Sequence, residues 1–286
     1  MACYHPWKPD PQLGLPPHIK LPCGQCIGCR LERSRQWAIR CMHEAQMHQL
    51  SCFVTLTYNE ELVPQDYSLN HRHFQLFMKK LRKKYPENKI RYYMCGEYGT
   101  LFSRPHYHAC LFGIDFRDKR PISELASRAK LYSSDELTRL WKHGYATLGA
   151  VTFQSAAYVA RYVMKKITGD RASSHYTYID NNGEIHSREP EYNRMSLRPG
   201  IGQPWYEKYS KDVYPSDEVI ANGHASRPPR YYDKLHKRLE DAEHTRILKR
   251  RNIARIKATK DNTPQRLKAK ETVTIAKALH LKRTIN

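Results

Sequence analysis

Residues 91–112 read RYYMCGEYGTLFSRPHYHACLF, and this stretch decides the fold. Two apolar runs, Tyr92 to Cys95 and Ala109 to Phe112, flank a turn-prone centre, which predicts two antiparallel strands. Glu97 ends the first run and His106-Tyr107-His108 opens the second. Side chains alternate along a strand, so His106 and His108 point one way and Tyr107 the other. Two imidazoles a strand-step apart can hold one divalent ion. If the runs pair as neighbours, Glu97 adds a carboxylate, giving three protein ligands and open positions where a metal polarises a substrate oxygen. An H-x-H alone is more often a pair of half-buried strand histidines, so its weight depends on the rest of the chain.

Working outward, Cys52 to Tyr58 (CFVTLTY) is β-branched and aromatic and predicts a strand. Residues 59–68 form a turn-rich loop. Leu69 to Tyr85 predicts an amphipathic helix, with Phe74, Phe77, Met78 and Leu81 inward and Lys79, Lys80, Arg82, Lys83 and Lys84 outward. Pro86 ends it. Ser134 caps a short helix from Asp135 to His143 with an acidic first turn. Gly144 to Phe153 is again strand-like. The order strand, helix, strand, strand, helix, strand, helix indicates an α+β fold, with helices on one face of an antiparallel sheet, in a ferredoxin-like split βαβ arrangement over about residues 50–168.

The last helix of that series, Gln154 to Thr168 (QSAAYVARYVMKKIT), places Ala156, Val159, Ala160, Val163 and Ile167 in one apolar stripe. Tyr158 and Tyr162 neighbour each other outside the stripe, with Lys165 and Lys166 alongside. Aromatics at helical spacing are usually core, but this core has its own stripe. A phenol with a pKa near 10 is a poor nucleophile at neutral pH. A cation beside it favours the phenolate and stabilises charge on a scissile phosphate. Metal ligands, tyrosines and lysines together point to phosphodiester transesterification through a phosphotyrosine.

The chain has 286 residues, 40% of them hydrophobic, enough for one large or two modest domains. Lys and Arg number 49 against 28 acids, a net charge of +21, and there are 20 tyrosines. That surplus predicts a polyanionic partner, nucleic acid first, and tyrosines suit base stacking. The sequence has no apolar run long enough for a transmembrane helix, no signal-peptide pattern and no Walker-type motif. Its eight cysteines therefore read as thiols rather than disulfides. Cys23-Gly-Gln-Cys26-Ile-Gly-Cys29 follows a proline-rich start and predicts a thiolate knuckle, a candidate structural Zn²⁺ site. Cys3 is the first choice for the fourth ligand, with His5, Cys41 and His43 behind it. Arg30 to Gln49 is helical in pattern. His43 and His48, five apart, are too widely separated around a helix for the zinc-protease motif that they mimic.

Taken together, Phe53-Val-Thr-Leu-Thr-Tyr58, Gly96-Glu97-Tyr98-Gly99, Arg104-Pro-His-Tyr-His108 and Tyr158-Val-Ala-Arg-Tyr162-Val-Met-Lys-Lys166 resemble the HUH-type rolling-circle replication initiators. The closest resemblance is to the replication initiation proteins of microviruses, in the gokushovirus branch of small single-stranded DNA phages. The cysteine cluster, Arg198-Pro-Gly-Ile-Gly202 and Pro228-Pro-Arg-Tyr-Tyr232 extend it across most of residues 1–235. The resemblance implies the HUH endonuclease fold, a ferredoxin-like or RRM-like antiparallel sheet. It implies Mg²⁺ or Mn²⁺ on His106, His108 and Glu97, and attack on the origin phosphate by Tyr158 or Tyr162. A 5′-phosphotyrosine and a free 3′-hydroxyl result, with Lys165 or Lys166 steadying the phosphate. The implied partners are single-stranded origin DNA and host replication proteins (helicase, polymerase), in the cytoplasm of a bacterial host. Tyrosine between the two histidines is a mild variant of the motif.

The expected division is 1–49 (extended segment, cysteine knuckle and helix), 50–170 (nickase domain), 171–226 (loop-rich insertion) and 227–286. In the insertion, Asn181-Asn182-Gly183 marks a hairpin turn between Tyr176-Thr-Tyr178 and Ile185. Residues 227–286 hold 18 Lys and Arg against 6 acids and predict a basic helical or partly disordered tail facing DNA phosphates or solvent. Two other functions compete with the nickase: a zinc-knuckle nucleic-acid-binding protein without catalysis, and a relaxase or transposase using the same site.

Overall fold

β-branched and aromatic residues alternating along three central strands build the sheet that carries the site. The computed structural model describes residues 3–14, 20–99, 103–122, 130–162, 171–179, 182–214 and 216–280, with Tyr162 by its backbone. The first half of the chain runs α1 (Ile27–Gln46), β1 (Ser51–Tyr58), α2 (His71–Lys84), β2 (Arg91–Tyr98), β3 (Pro105–Phe112), β4 (Arg120–Pro121) and β5 (Tyr132–Ser133). There follow α3 (Asp135–Trp141), β6 (Gly144–Gly149), α4 (Phe153–Tyr162), α5 (Arg171–Tyr176), β7 (Thr177–Ile179), β8 (Ile185–Ser187) and β9 (Tyr192–Met195). The rest is α6 (Gln203–Val213), β10 (Val219–Ala221), β11 (His224–Ser226), α7 (Arg230–Leu239), α8 (Asp241–Lys257) and α9 (Pro264–His280). Two units are distinct: Ala38–Lys208, and Met1–Trp37 with Tyr209–Thr284.

In the first unit, seven strands form one sheet in the order β4-β5-β6-β1-β3-β2-β9. Every described pairing in it is antiparallel. β1 turns Val54, Leu56 and Tyr58 to the face where α2 and α3 pack, and β3 adds Tyr107, Ala109 and Leu111. Phe74, Phe77, Met78 and Leu81 of α2 are all buried there, as the amphipathic pattern requires. Trp141 of α3 fills the middle, and its indole N–H donates to Thr57 O at 3.1 Å. Each such large apolar side chain contributes about 1.5–3 kcal/mol by leaving water.

Local chemistry sets the helix ends. Ser134 Oγ accepts from Leu137 N–H and caps α3, and Asn70 does the same for α2 through Arg72 N–H. α3 stops at Trp141, two residues short of the expected His143, because Lys142 adopts a left-handed conformation (φ 53°). Gly144 then enters β6 at φ 142°, where a Cβ would meet Asn59 N at 2.3 Å, so only glycine fits.

The expectation that the helices share one face is corrected by α4. It packs against β2 and β3 on the side of Phe53 and His108, opposite α2, as the ring contacts of Tyr158 place it. The stretch expected to be a loop-rich insertion also contributes structure. β9 extends the main sheet beside β2, and β7 pairs with β8 around the Gly183 turn.

In the other unit, Arg251 of α8 joins Asp233 of α7 and Asp217. Tyr214 donates to Asp233 at 2.8 Å and stacks on His236 at 3.9 Å. α9 meets the N-terminal segment through Tyr4–Thr274 and His5–Glu271 hydrogen bonds of 2.8 and 2.7 Å.

Candidate active site and cysteine cluster

Register brings the site together. Glu97 lies directly opposite His106, and Cys95 opposite His108, in the β2–β3 ladder. Thr55 of β1 lies opposite His108 on its other side. Period-two alternation therefore puts Glu97, His106, His108 and Thr55 on one face. Glu97 Oε1 is 2.7 Å from His108 Nε2, and Thr55 Oγ1 is 2.9 Å from His108 Nδ1. Glu97 and His108 are 3% and 4% exposed, whereas His106 is half-buried. The His106 and His108 rings lie 6.3 Å apart.

α4 covers this face. The Tyr158 ring stands edge-on to the His108 ring at 5.0 Å and to Phe53 at 6.4 Å. Phe53 in turn stacks on His108 at 5.9 Å. Tyr158 is thus buried against the sheet, not set apart from the packed side as the stripe analysis suggests, because residues 155–160 are buried all round. Asn193 of β9 fixes the helix by donating to Val159 O at 3.2 Å and to Met94 O at 3.3 Å. Tyr162 is the last residue of α4, and its side chain, like Lys165 and Lys166, lies outside the described residues.

The tyrosine between the histidines serves the other face. Its hydroxyl donates to Asn70 O at 2.9 Å and accepts from Asn70 N–H at 2.8 Å, and it meets the Tyr58 hydroxyl at 3.1 Å. Tyr107 thereby anchors the start of α2. Two further residues act on the site without any motif to announce them. Thr55 orients His108, and Gly99 lets the His106 ring lie close: a Cβ there would stand 2.8 Å from His106 Nε2.

The second cluster forms as expected. Cys3, Cys23, Cys26 and Cys29 hold their sulfurs within 4.8 Å of one another and could coordinate a metal. The Cys3 and Cys23 sulfurs are 3.7 Å apart, close to the ~3.8 Å edge of a tetrahedron with Zn–S bonds of about 2.3 Å. Backbone N–H groups of Tyr4, Cys23 and Cys26 point at the sulfurs at 3.2–3.3 Å. Burial pushes the Cys26 thiol up, but N–H groups of Tyr4 and Cys29 and the neighbouring thiols outweigh it and bring it down to about 6. All eight cysteines are thiols. The reserve ligands are otherwise engaged, His5 with Glu271 and His43 stacked on Trp205 at 3.5 Å. Among the described residues this is the one group of three or more such ligands gathered so tightly; Glu97, His106 and His108 are spaced more widely.

The family model for replication-associated proteins of the ORF2 type matches residues 51–167, from β1 through α4. Replication-associated protein VP4 of Bdellovibrio phage phiMH2K is 36% identical over 227 residues, covering 76% of this chain and 67% of the relative. Replication-associated protein ORF2 of Spiroplasma virus 4 is 30% identical, covering 75% and 67%. Replication-associated protein ORF4 of Chlamydia phage 1 is 28% identical, covering 78% and 55%. No solved structure matches the chain. These similarities reach the level of phage replication proteins and no narrower branch. On the identity and coverage of the first two relatives, and with the model spanning the central strands, the chain belongs to the family of phage replication-associated proteins.

Proposed function

We propose that this protein is a metal-dependent, site-specific single-strand DNA nickase and ligase that starts rolling-circle replication of a small circular phage genome. One observation carries the reading: a buried Glu97–His108 pair at 2.7 Å with the Tyr158 ring 5.0 Å from the same imidazole. The strand order β6-β1-β3-β2 within a β-α-β-β-α-β series supports the ferredoxin-like HUH fold, and the sequence resemblance supports the gokushovirus branch.

Glu97, His106 and His108 offer one carboxylate and two imidazoles, a set that fits Mg²⁺ or Mn²⁺. Adjacent ligands on an ion bound at about 2.1 Å stand ~3.0 Å apart, a few tenths of an ångström more than Glu97 and His108 do now. Once bound, the ion polarises a phosphate oxygen and favours the phenolate. Thr55 holds the His108 ring in the plane this requires. The Tyr158 oxygen bonds to phosphorus, the P–O3′ bond breaks, and the 3′-oxygen takes a proton. One phosphodiester replaces another, so the step reverses readily and the same site can join ends. Tyr162 is the second nucleophile, Lys165 or Lys166 steadies the phosphate, and the host polymerase extends the 3′-hydroxyl. The basic side chains of α7–α9 hold flanking phosphates.

A second reading has its own support. The cysteine cluster is the more completely gathered metal site, and a zinc-knuckle DNA-binding protein without catalysis, in the same phage family, accounts for it equally well. One experiment separates the two. Wild type, Tyr158→Phe, Tyr162→Phe and the double variant are incubated with an origin oligonucleotide and Mn²⁺ or a chelator. A covalent adduct that needs metal and vanishes in the double variant is expected. Tight binding with no adduct overturns the nickase and leaves the binding protein; an adduct that persists in the double variant removes the tyrosine mechanism.

A further inference from the structure

At the strand ends beside Glu97, four segments distant in sequence converge on a cleft of about 470 Å³ lined by Glu60, Tyr67, Arg104, Tyr178 and Arg188. That volume lies in the range of small-ligand sites. Its backbone is pinned on several sides. Arg188 N–H donates to Tyr176 O at 2.7 Å. Glu189 N–H donates to Ser68 Oγ, and Glu189 O accepts from the Tyr98 hydroxyl. The Arg188 guanidinium is held over the Tyr178 ring at 4.1 Å, Tyr98 at 5.5 Å and Tyr67 at 6.0 Å.

The charges in the cleft are not balanced. Glu60 takes both Arg104 and the Tyr67 hydroxyl, so its carboxylate is spent. Arg188 has no carboxylate partner among the described residues, and its Nε is buried without a hydrogen-bond acceptor. Tyrosine faces attract a guanidinium, but they leave its in-plane donors unused, and those donors match phosphate oxygens. The Tyr67 and Tyr178 rings, 5.2 Å apart, supply an aromatic wall beside it.

We infer that this cleft is a nucleotide subsite: it takes one phosphate of a DNA single strand on Arg188 and stacks the attached base against Tyr67 and Tyr178. The inference rests on the substrate being single-stranded DNA, and it adds a fixed point where the strand is gripped at the same end of the sheet as Glu97 and His106. A purely structural role, pinning the β7–β8 region to the strand ends, is the competing account.

The test measures binding of a metal-free oligonucleotide to full-length protein across a salt series. Wild type is compared with Arg188→Ala, Arg188→Lys and Tyr178→Leu. Arg188→Ala is expected to lower the slope of log K against log salt by about 0.7, one phosphate's worth for a single strand, with Arg188→Lys restoring it. A single abasic position is expected to weaken wild type roughly 5- to 150-fold, the worth of one stacked base, and to cost Tyr178→Leu much less. Wild type carrying 5-iododeoxyuridine DNA should photo-cross-link at Tyr67 or Tyr178, a readout independent of any variant's folding. Unchanged slopes with cross-links elsewhere overturn the subsite while the adduct assay still decides the nickase. Changed slopes without any adduct keep the subsite and reject the nickase. Failure of wild type to bind single strands removes both.

Discussion

Replacing Thr55 by valine tests whether His108 is built to hold a metal. Nδ1 of His108 is 2.9 Å from the Thr55 hydroxyl and Nε2 is 2.7 Å from Glu97, so one proton must serve two sides. Without a metal, Nε2–H donates to Glu97 and Nδ1 accepts from Thr55. With a metal at Nε2, the proton moves to Nδ1 and Thr55 must accept it. A hydroxyl can do either, because it both donates and accepts; a valine methyl can do neither. In Thr55→Val a buried Nδ1–H has no acceptor, so the proton stays on Nε2, where the ion needs a lone pair. Loss of such an outer partner costs about 10- to 100-fold in metal affinity, or roughly 1.4–2.7 kcal/mol. Thr55→Ser keeps the hydroxyl and should bind nearly as wild type. Mn²⁺ titration by calorimetry reads the affinity, and ¹⁵N-imidazole NMR reads the tautomer. Equal Mn²⁺ affinity in Thr55→Val and wild type would refute this reasoning, since it would mean that His108 is a structural partner of Glu97 and nothing more.

Gly99→Ala puts a Cβ 2.8 Å from His106 Nε2; the ring can swing away, so the expected result is a normal melting temperature with weakened Mn²⁺ binding. A lowered melting temperature with intact binding would count against it. Chelation, or Cys26→Ser, should destabilise the unit holding the cysteine cluster, since a structural zinc contributes about 10–16 kcal/mol to such small sites. Cobalt substitution should give a tetrahedral thiolate spectrum, and four thiols that titrate alike with and without Zn²⁺ would sink the site. Glu44 is fully buried and joins Arg91 at 2.5 Å, His48 at 3.3 Å and Gly202 N–H at 2.7 Å. Burial alone would raise its pKa, yet these partners hold it below the usual glutamate value of 4.5. Its stabilisation is therefore present above that value and lost as pH falls through the lower folded pKa. Glu44→Gln should cost about 3–5 kcal/mol at neutral pH by stranding buried Arg91, and should flatten acid unfolding below pH 4.5; an unchanged acid profile would contradict it.

Several of these elements were legible in the sequence because their cause is local. The apolar face of α2, the Ser134 cap, the hairpin around Gly183 and the opposed faces of Tyr107 and His108 each follow from a few consecutive residues. The cysteine cluster was legible too, since Cys3 was the first choice for the fourth ligand. What stayed hidden depends on partners far away in the chain. A threonine in CFVTLTY reads as a strand former, and only its place opposite His108 makes it an orienting group. Glu44 sat inside a false protease motif, while its partner Arg91 opens another element altogether. Residues 1–37 and 209–284 share a unit, an association that a division into consecutive segments cannot express. Tyr158 was misplaced for a related reason: a stripe analysis assumes one buried side, and α4 is covered all round.

The same alternation that made the histidines visible also ties the site to the core. β3 turns Tyr107, Ala109 and Leu111 to the packed face and His106 and His108 to the other, so neither set can shift register alone; a one-residue slip would exchange them. Tyr107 strengthens this lock, since its hydroxyl holds both backbone groups of Asn70, the residue that caps α2. The core therefore positions the histidines by fixing the strand between them, and the ring of Tyr158 meets His108 on a sheet that is already set. On the site face, Thr55 and Glu97 hold the two nitrogens of the His108 imidazole, while the stacked Phe53 ring and the Tyr158 edge support its plane. Rigidity comes from the apolar face, and chemistry is left to the other.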